Sequence, residues 1–481
     1  KKMKIKTIYT YLLLPLLVFG FNSCDDQLAE INKNPNATEN PQPAYLLSAA
    51  QYHAAQWFLG NDLNYNAALL WDQHWAKIQY TEPDCYNVTT SSFSSVWDDG
   101  YATIIADLNA VENSNLGNAN YRAVAKIWRS WTFLQLTNLF GDIPYTQYAK
   151  SVTPAYDNQE DVLKGLLGEL QTAADSLKST NGSVSGDLIY KGDITSWKRF
   201  AQSLRLRIAL EIADRDQELA SGIIAQLYAN RSELISSNSD NANFVFTSSP
   251  QWNPWASAFS TRDDQRVSKT LIDKLKDYND PRLPIYAQLP SDATVTTYQG
   301  AANGLSADQA NSQGFNKLSR PGTYFLKDNA PAVFFTYSEI NFIFAEAAAR
   351  GIINADAQDF YNKGITASLQ QFGVGDNADK YLAQPSVAYD ASNWAEQIGW
   401  QKWISYYGQA SDAFTDWRRL GYPKLKAGPS SVLGKGQLPR RFFYPVTEQS
   451  LNGSNYKAAI AHQGPDELTT RLWFDVENKN R

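Results

Sequence analysis

The stretch DVLKGLLGELQTAADSL, residues 161–177, has the apolar spacing of an amphipathic α-helix. Apolar side chains recur at intervals of three and four positions, at Val162, Leu163, Leu166, Leu170, Ala173, Ala174 and Leu177. Because a helix has about 3.6 residues per turn, this spacing places them near one face. The stretch therefore predicts a helix that buries this face against a neighbouring element.

The same pattern predicts helices in YRAVAKIWRSWTFLQLTNLF, TSWKRFAQSLRLRIALEIAD, YSEINFIFAEAAARG, AQDFYNKGITASLQQFG and WAEQIGWQKWISYYG. Strict alternation of apolar and polar residues is scarce, so we expect few and short strands. Several helices come in pairs with small residues at packing positions, as in tetratricopeptide-like hairpins, although no repeat is regular enough to count. The sequence predicts an all-α protein with a tetratricopeptide-like helical scaffold at about 44–215 and 337–420.

Residues of about 240–335 lack this helical pattern. Structureless segments of such length are uncommon in compact proteins and are usually either functional or disordered. Aromatic side chains argue against disorder here. The segment contains Trp252, Trp255, Phe259, Tyr298, Phe315 and Tyr324. We therefore expect long irregular loops that form a ligand-binding surface on the scaffold.

The N-terminal residues predict a lipoprotein signal followed by a tether. Lysines precede the mostly apolar run Ile8–Phe21, which is shorter than the roughly 20 residues that span a bilayer. Residues 1–23 are therefore interpreted as a cleaved export signal. Cys24 follows the small Ser23 and is the predicted lipidation site; the alternative is an ordinary signal peptide followed by a chance cysteine. Residues 24–43 are polar and proline-containing, as expected of a tether.

Composition excludes one class of ligand. The formal charge is −6 and the pI is about 5.3, which argues against nucleic acid, because that affinity depends on neutralising phosphates with Lys and Arg. Cys85 is the only other cysteine, so no intrachain disulfide can form once Cys24 is lipidated. The 14 Trp and 27 Tyr residues stand against 3 His and a single Met, and aromatic rings with polar edges suit recognition surfaces.

A set of ordered segments resembles the SusD/RagB family of surface nutrient-binding lipoproteins. The segments are INKNPNATENP after the cysteine, NLFGDIPYTQY, SWKRFAQSLRLRIAL, YNDPRL, TYSEINFIFAEAAARG and LPRRFFYPVTEQSLNGSNY. The resemblance covers nearly all of the mature chain. It implies that residues 44–481 form a SusD-like helical domain in which tetratricopeptide-like hairpins support irregular ligand-binding loops.

The resemblance also implies a location and a partner. The partner is a SusC-like TonB-dependent outer-membrane barrel, over which the lipoprotein lies as a lid. The lipid on Cys24 would hold the protein on the outer membrane, facing the cell exterior. Asp25 and Asp26 resemble the acidic signal that directs some lipoproteins to that surface. No cofactor and no metal are expected.

Enzyme motifs are scarce. The sequence has no His-Glu-x-x-His, no Gly-x-Ser-x-Gly and no glycine-rich phosphate loop. Its one Ser-x-x-Lys, at Ser454 and Lys457, is expected by chance in a serine-rich chain. Glu339 and Glu346 lie two turns apart on one predicted helix face and would suit glycoside hydrolysis. Because that helix is strongly apolar, we expect them to have a packing or interhelix polar role, and we predict no catalysis.

Two pairs of tryptophans are candidate ligand contacts. Pro250 and Pro254 disfavour a regular helix, so Trp252 and Trp255 are expected on a loop, where they either bind ligand or hold the loop to the scaffold. Trp71 and Trp75 are four apart and expected on one helix face, where burial in the core is favoured and ligand contact is the alternative. Four further tryptophans, Trp128, Trp131, Trp400 and Trp403, are expected to be packing residues.

The irregular segment supplies the remaining candidates. Arg262 and Asp263 follow the loop closely enough to give polar contacts, and Tyr298 and Phe315 offer further rings. Stacking rings with polar donors suit an oligosaccharide, because sugars present both apolar C–H faces and hydroxyls. The predicted function is therefore oligosaccharide capture and delivery to the barrel. The alternatives are the same role for oligopeptides, a surface glycoside hydrolase, and a structural adaptor of the barrel.

Overall fold

The computed structural model describes residues 41–434 and 436–477, so the predicted signal, Cys24 and most of the predicted tether lie outside the described residues. The α-helices of these ranges are, in chain order, α1 (Pro43–Phe58), α2 (Leu69–Trp71), α3 (Ser94–Asp98), α4 (Ala106–Asn113), α5 (Ala119–Phe140), α6 (Gln159–Ser176), α7 (Ile194–Ile212), α8 (Gln217–Ala229), α9 (Pro254–Thr261), α10 (Lys269–Asp277), α11 (Leu283–Tyr286), α12 (Ala307–Ser312), α13 (Tyr337–Ala349), α14 (Ala357–Gln371), α15 (Ala378–Leu382), α16 (Trp394–Ser405), α17 (Ala410–Leu420), α18 (Val446–Leu451) and α19 (Gly453–Gln463). None of them combines the length and the apolar character that crossing a bilayer requires.

The six quoted helical stretches are confirmed as α5, α6, α7, α13, α14 and α16. Capping residues set where these helices begin and end, as α5 shows. At the start of α5 the Asn118 side chain accepts hydrogen bonds from the backbone N–H groups of Asn120 (2.9 Å) and Tyr121 (3.1 Å). The helix ends at Gly141, whose φ of 90° is accessible to glycine.

Consecutive helices pack against each other along the scaffold: α5 on α6, α6 on α7, α7 on α8, and α13 on both α14 and α16. The predicted all-α, tetratricopeptide-like architecture is confirmed. Tryptophans fill the centre, where the rings of Trp128 and Trp131 stack with 4.8 Å between centroids and both contact Phe334. Trp403 is also buried, as expected, whereas Trp400 is only half-buried.

Buried ion pairs join α7 to α13 and α17, and α17 to α13. Arg207 of α7 donates from Nε to Glu339 of α13 at 2.6 Å and lies 3.2 Å from Asp412 of α17. Arg419 of α17 lies 2.6 Å from Glu346 of α13. The expected interhelix polar role of Glu339 and Glu346 is therefore confirmed. Such pairs specify how helices meet, because a charge left without its partner in the interior is very costly.

The strands of the described residues are short and antiparallel. β1 (Trp75–Lys77) pairs with β3 (Gln265–Val267), and β2 (Ala242–Val245) pairs with β4 (Pro331–Phe335). Three of the four strands and α9 to α12 lie in or at the edge of the segment expected to be irregular. The segment expected to form irregular loops therefore also contains short regular elements that the sequence pattern did not predict. These elements are too short for periodicity to reveal them.

Candidate ligand-binding surface

Trp71 and Trp75 lie in the core. The expected shared helix face is wrong, because α2 ends at Trp71 and Trp75 opens β1, with Gln73 in the left-handed region (φ 61°) between them. Both side chains are fully buried. Trp71 Nε1 donates to the carbonyl oxygen of Pro83 at 3.1 Å. The favoured burial in the core is correct, since neither ring offers a face to a ligand.

Trp255 is also buried. Pro254 starts α9 instead of excluding a helix, because proline is tolerated in the first helical turn, where no intrahelical N–H donor is needed. The side chain of Asn253 caps this helix by accepting from the N–H of Trp255 at 2.7 Å. The indole is 2% exposed and donates to the carbonyl oxygen of Leu59 at 3.0 Å. The loop expectation for Trp255 is therefore wrong, and its role is to attach this segment to the scaffold.

Trp252, by contrast, borders an open cavity. Its ring is half-buried, and it lines a cavity of about 300 Å³ together with Pro250, Asn61 and Tyr65. Gln56 Nε2 donates to the carbonyl oxygen of Trp252 at 3.2 Å, which fixes the backbone while leaving the indole at the cavity. The volume lies at the lower end of the range for small-molecule sites.

An exposed tyrosine and an exposed arginine meet at the end of α9. The guanidinium carbon of Arg262 lies 5.0 Å from the centre of the Tyr80 ring, and Tyr80 is 61% exposed. Tyr80 has a φ of 52°, a region that non-glycine residues seldom occupy and that is often found at functional sites. Sequence reasoning missed Tyr80 because no periodic pattern marks this turn. Its position three residues after the buried strand β1 was the available signal.

Arg266, four residues after Arg262, forms a second arginine–aromatic pair with Phe315. Phe315 is 40% exposed, and the guanidinium carbon of the buried Arg266 lies 4.3 Å from its ring centre. Asp263 Oδ1 accepts from Arg266 Nη1 at 2.8 Å and from Arg320 Nε at 3.1 Å. Arg320 also lies over the ring of Phe259 at 5.5 Å. One carboxylate thus positions two guanidinium groups.

We name this set the arginine–aromatic surface: Tyr80, Arg262, Asp263, Arg266, Phe315 and Arg320. The predicted candidates Arg262, Asp263 and Phe315 belong to it. Tyr298 does not; it is half-buried against the hydrophobic core, and burial raises the pKa of its hydroxyl.

A buried polar network supports the segments that carry this surface. Lys77 Nζ and Asp264 Oδ2 form a 3.0 Å ion pair, and Tyr65 Oη donates to the other carboxylate oxygen at 2.9 Å. Burial lowers the pKa of Lys77, and Asp264 opposes that shift. The pair connects β1, which precedes Tyr80, to the residue that follows Asp263. The two segments are therefore held at a fixed separation.

Asp84 closes the turn that follows Tyr80. Its carboxylate accepts from the backbone N–H of Lys77 at 3.0 Å and from Asn303 Nδ2 at 2.9 Å. Desolvation raises the pKa of Asp84 to about 7, although the hydrogen bonds oppose the shift. Asn303 also donates to the carbonyl oxygen of Trp75 at 2.7 Å. The turn that presents the exposed ring is thus fixed by side chains from distant parts of the sequence.

The exposed side chains of this surface are of types suited to binding. Exposed rings and guanidinium donors can stack on a ring and form hydrogen bonds with it. Within residues 41–434 and 436–477 there is no group of three or more His, Cys, Asp or Glu side chains placed to hold a metal ion. The surface therefore has the features of a recognition site.

Comparison with known proteins assigns this chain to a family. Residues 35–445 match the profile of the SusD-like family, described as starch-binding and associating with the outer membrane. The chain belongs to the SusD-like family. The resemblance drawn from the sequence is therefore confirmed, and the whole arginine–aromatic surface lies within the matched residues.

Solved SusD-like structures have the same fold. A chitin-binding protein superimposes with a TM-score of 0.82 at 29% identity, covering 91% of this chain and 100% of that chain. A chitin-binding SusD homologue from Flavobacterium johnsoniae gives a TM-score of 0.82 at 25% identity, covering 91% and 99%. The SusD-like protein P2 of Formosa agariphila is 32% identical over 101 residues, which is 19% of this chain and 20% of that relative's length. Membership places this chain among outer-membrane-associated, glycan-binding proteins.

Proposed function

We propose that this protein captures an oligosaccharide at the arginine–aromatic surface and delivers it to a SusC-like TonB-dependent barrel in the outer membrane. The observation that carries the proposal is the exposed pair formed by Tyr80 and Arg262, and the exposed ring of Phe315 adds a second aromatic face. A sugar ring can lie on such an aromatic face while its hydroxyls accept hydrogen bonds from the guanidinium groups. No reacting group is required for this task, in keeping with a non-enzymatic role.

The cavity beside Trp252 extends the proposed binding region. Tyr65 lines this cavity, and its ring contacts Phe259, over which Arg320 lies. The cavity and the arginine–aromatic surface are thus adjacent through α9. An oligosaccharide has several rings, so a ligand longer than one sugar unit can use both. This adjacency favours an oligomeric nutrient over a monosaccharide.

Delivery requires an anchored lid. We propose that the lipid on Cys24 holds the protein on the outer face of the membrane and that residues 24–43 act as a tether, so that the domain can move over the barrel without leaving it. The family's described association with the outer membrane supports this arrangement.

Isothermal titration of the chain from Asp25 onward against a panel of oligosaccharides tests the binding step. Tyr80→Ala should weaken binding about 2- to 10-fold, because one aromatic stack contributes roughly 0.5–1.5 kcal/mol. Tyr45→Ala is the matched control, since Tyr45 is 75% exposed on α1 and belongs to neither binding region. Equal affinity of the two variants would assign the ligand to another surface.

Ligand titration, a reducing-end assay and co-purification of the barrel together separate the alternatives. Release of reducing ends during the titration would favour a glycoside hydrolase. Binding of oligopeptides without any glycan would favour a peptide-capturing role. A barrel complex without measurable ligand affinity would favour an adaptor.

A further inference from the structure

The arginine–aromatic surface carries more positive than negative charge. Arg266 and Arg320 share one carboxylate, that of Asp263. Among the described residues, no carboxylate lies within ion-pair distance of Arg262. The named set therefore contains three guanidinium groups and one carboxylate, and only two of the three guanidinium groups contact that carboxylate.

The donors of Arg262 and Arg320 remain accessible. Arg262 is exposed, and its contact with the Tyr80 ring uses no conventional hydrogen bond. Arg320 is partly exposed and uses its Nε for Asp263, which leaves its terminal nitrogens for a ligand. Arg266 differs, because it is buried and donates to the carbonyl oxygen of Gln265 at 2.7 Å. Two of the three guanidinium groups can thus meet a bound molecule directly.

The local excess of positive charge is opposite in sign to the net charge of the whole protein, which is −6. A protein with that net charge repels polyanions at long range, so a local excess of arginine would favour anions only at this surface. A neutral sugar needs hydrogen-bond donors and acceptors, which Asn, Gln and Ser supply without charge. The planar fork of arginine matches the two oxygens of a carboxylate or a sulfate.

We propose that the ligand is an anionic oligosaccharide, with Arg262 and Arg320 binding its carboxylate or sulfate groups while a sugar ring stacks on Tyr80 or Phe315. This inference rests on the proposed function and assigns its substrate class. It makes Arg262 and Arg320 specificity-determining residues and Arg266 a positioning residue, which keeps Asp263 engaged from the buried side.

Paired ligands test the proposal. Oligogalacturonate and its methyl ester differ in the carboxylate, and sulfated and desulfated carrageenan oligosaccharides differ in the sulfate. The chain from Asp25 onward should bind at least one acidic member about tenfold more tightly than its neutral counterpart. Raising NaCl from 50 to 500 mM should weaken binding of the acidic member only, because salt screens exposed charges.

Arginine variants locate the effect. Arg262→Gln and Arg320→Gln should each weaken binding of the acidic member roughly 3- to 10-fold more than they weaken binding of the neutral member. The matched control is Arg231→Gln, because Arg231 is exposed and lies 5.1 Å from the ring centre of Tyr228, outside this surface. Circular dichroism confirms that each variant is folded.

The outcomes are distinct. Preference for the uronate or for the sulfated ligand supports the proposal and identifies which anion is bound. Equal or tighter binding of neutral glycans overturns it and leaves the proposed function intact. Binding of acidic peptides in place of glycans, or no glycan binding at all, overturns both. An acidic preference that survives both variants overturns the assignment to Arg262 and Arg320.

Discussion

Trp75 Nε1 donates a 2.7 Å hydrogen bond to Tyr407 Oη, although the two residues are 332 positions apart in the sequence. Tyr407 Oη donates in turn to the carbonyl oxygen of Tyr286 at 3.1 Å. The first bond joins β1, which precedes Tyr80, to the residues that follow α16. A buried phenol is thus one of the links between the segment that carries Tyr80 and the helical scaffold.

Tyr407→Phe should lower the free energy of unfolding by about 1–3 kcal/mol, because it leaves the buried indole N–H of Trp75 without an acceptor. Urea denaturation followed by circular dichroism measures the change. Tyr45→Phe is the control, since that hydroxyl faces solvent and its loss should have no measurable effect. Equal stability of the two variants would mean that Trp75 finds another acceptor.

The two tryptophans of the α9 region should respond differently to truncation. Trp255→Ala removes a buried indole and should cost about 3–5 kcal/mol of stability. Trp252→Ala should cost about 1 kcal/mol or less and weaken oligosaccharide binding roughly 2- to 10-fold, because its half-buried ring borders the cavity. Thermal denaturation and calorimetric titration separate the two effects. A similar loss of stability in both variants would make Trp252 a second attachment point.

A buried carboxyl should make stability depend on pH. Desolvation raises the pKa of Glu211 to about 7, and its side chain borders a cavity of about 20 Å³ that Asp412 also lines. The folded protein therefore keeps this proton at pH values where the unfolded chain, with a pKa of about 4.3, has lost it. The contribution of the protonated Glu211 carboxyl to the unfolding free energy is complete below about pH 4.3. It is lost as the pH rises through about 7.

Glu211→Gln should accordingly flatten the decline of unfolding free energy between pH 5 and pH 8, by an amount of order 2–3 kcal/mol. Urea titrations at each pH provide the measurement. Asp161→Asn, at an exposed carboxylate, should leave the slope as it is. The same slope in Glu211→Gln and the parent protein would indicate that Glu211 is ionised in the fold.

The helices of the scaffold could be predicted from sequence because their apolar faces repeat over many turns. The predicted interhelix role of Glu339 and Glu346 followed from their strongly apolar surroundings. Trp75 could not be placed correctly, because the left-handed backbone of Gln73 breaks the spacing shared with Trp71. Such a break depends on distant packing and leaves no periodic signal in the sequence.

The candidate surface was only partly predictable. Arg262 and Phe315 were recognised by residue type within an irregular segment. Tyr80 was missed because its exposure results from a turn fixed by Asp84 and by Asn303, which lies 219 residues from Asp84. The position of Trp255 was predictable in principle, since Asn253 followed by proline is a helix-start signal.

Lipidation should depend on Cys24. Cys24→Ala removes the thiol that the acyl chain would occupy, so the protein should be recovered in soluble or unprocessed form and without palmitate label. Membrane fractionation with metabolic labelling gives the readout, and Cys85→Ala is the matched control. A variant that still labels and sediments with the outer membrane would refute the proposed anchor.

The barrel partner should co-purify. A lid over a wide barrel mouth implies an interface of roughly 2,000 Å² or more, in the range of permanent complexes. An affinity tag on this chain should therefore recover a barrel-sized protein in near-equal amount after gentle detergent extraction. Recovery of this chain alone in several detergents would contradict the lid arrangement.

The pairing of β2 with β4 brings together the two ends of residues 246–330. Val245 and Pro331 are register partners, so the chain leaves the scaffold and returns to it at neighbouring positions, about 5 Å apart. Residues 246–330, which include Trp252, Arg262, Phe315 and Arg320, form an excursion that starts and ends at neighbouring positions and contacts the scaffold through Trp255 and through β3. We therefore expect this excursion to behave as an exchangeable cassette. Exchange of residues 246–330 for the equivalent segment of a relative would transfer that relative's nutrient range to the same scaffold. The exchanged β3 must still pair with β1.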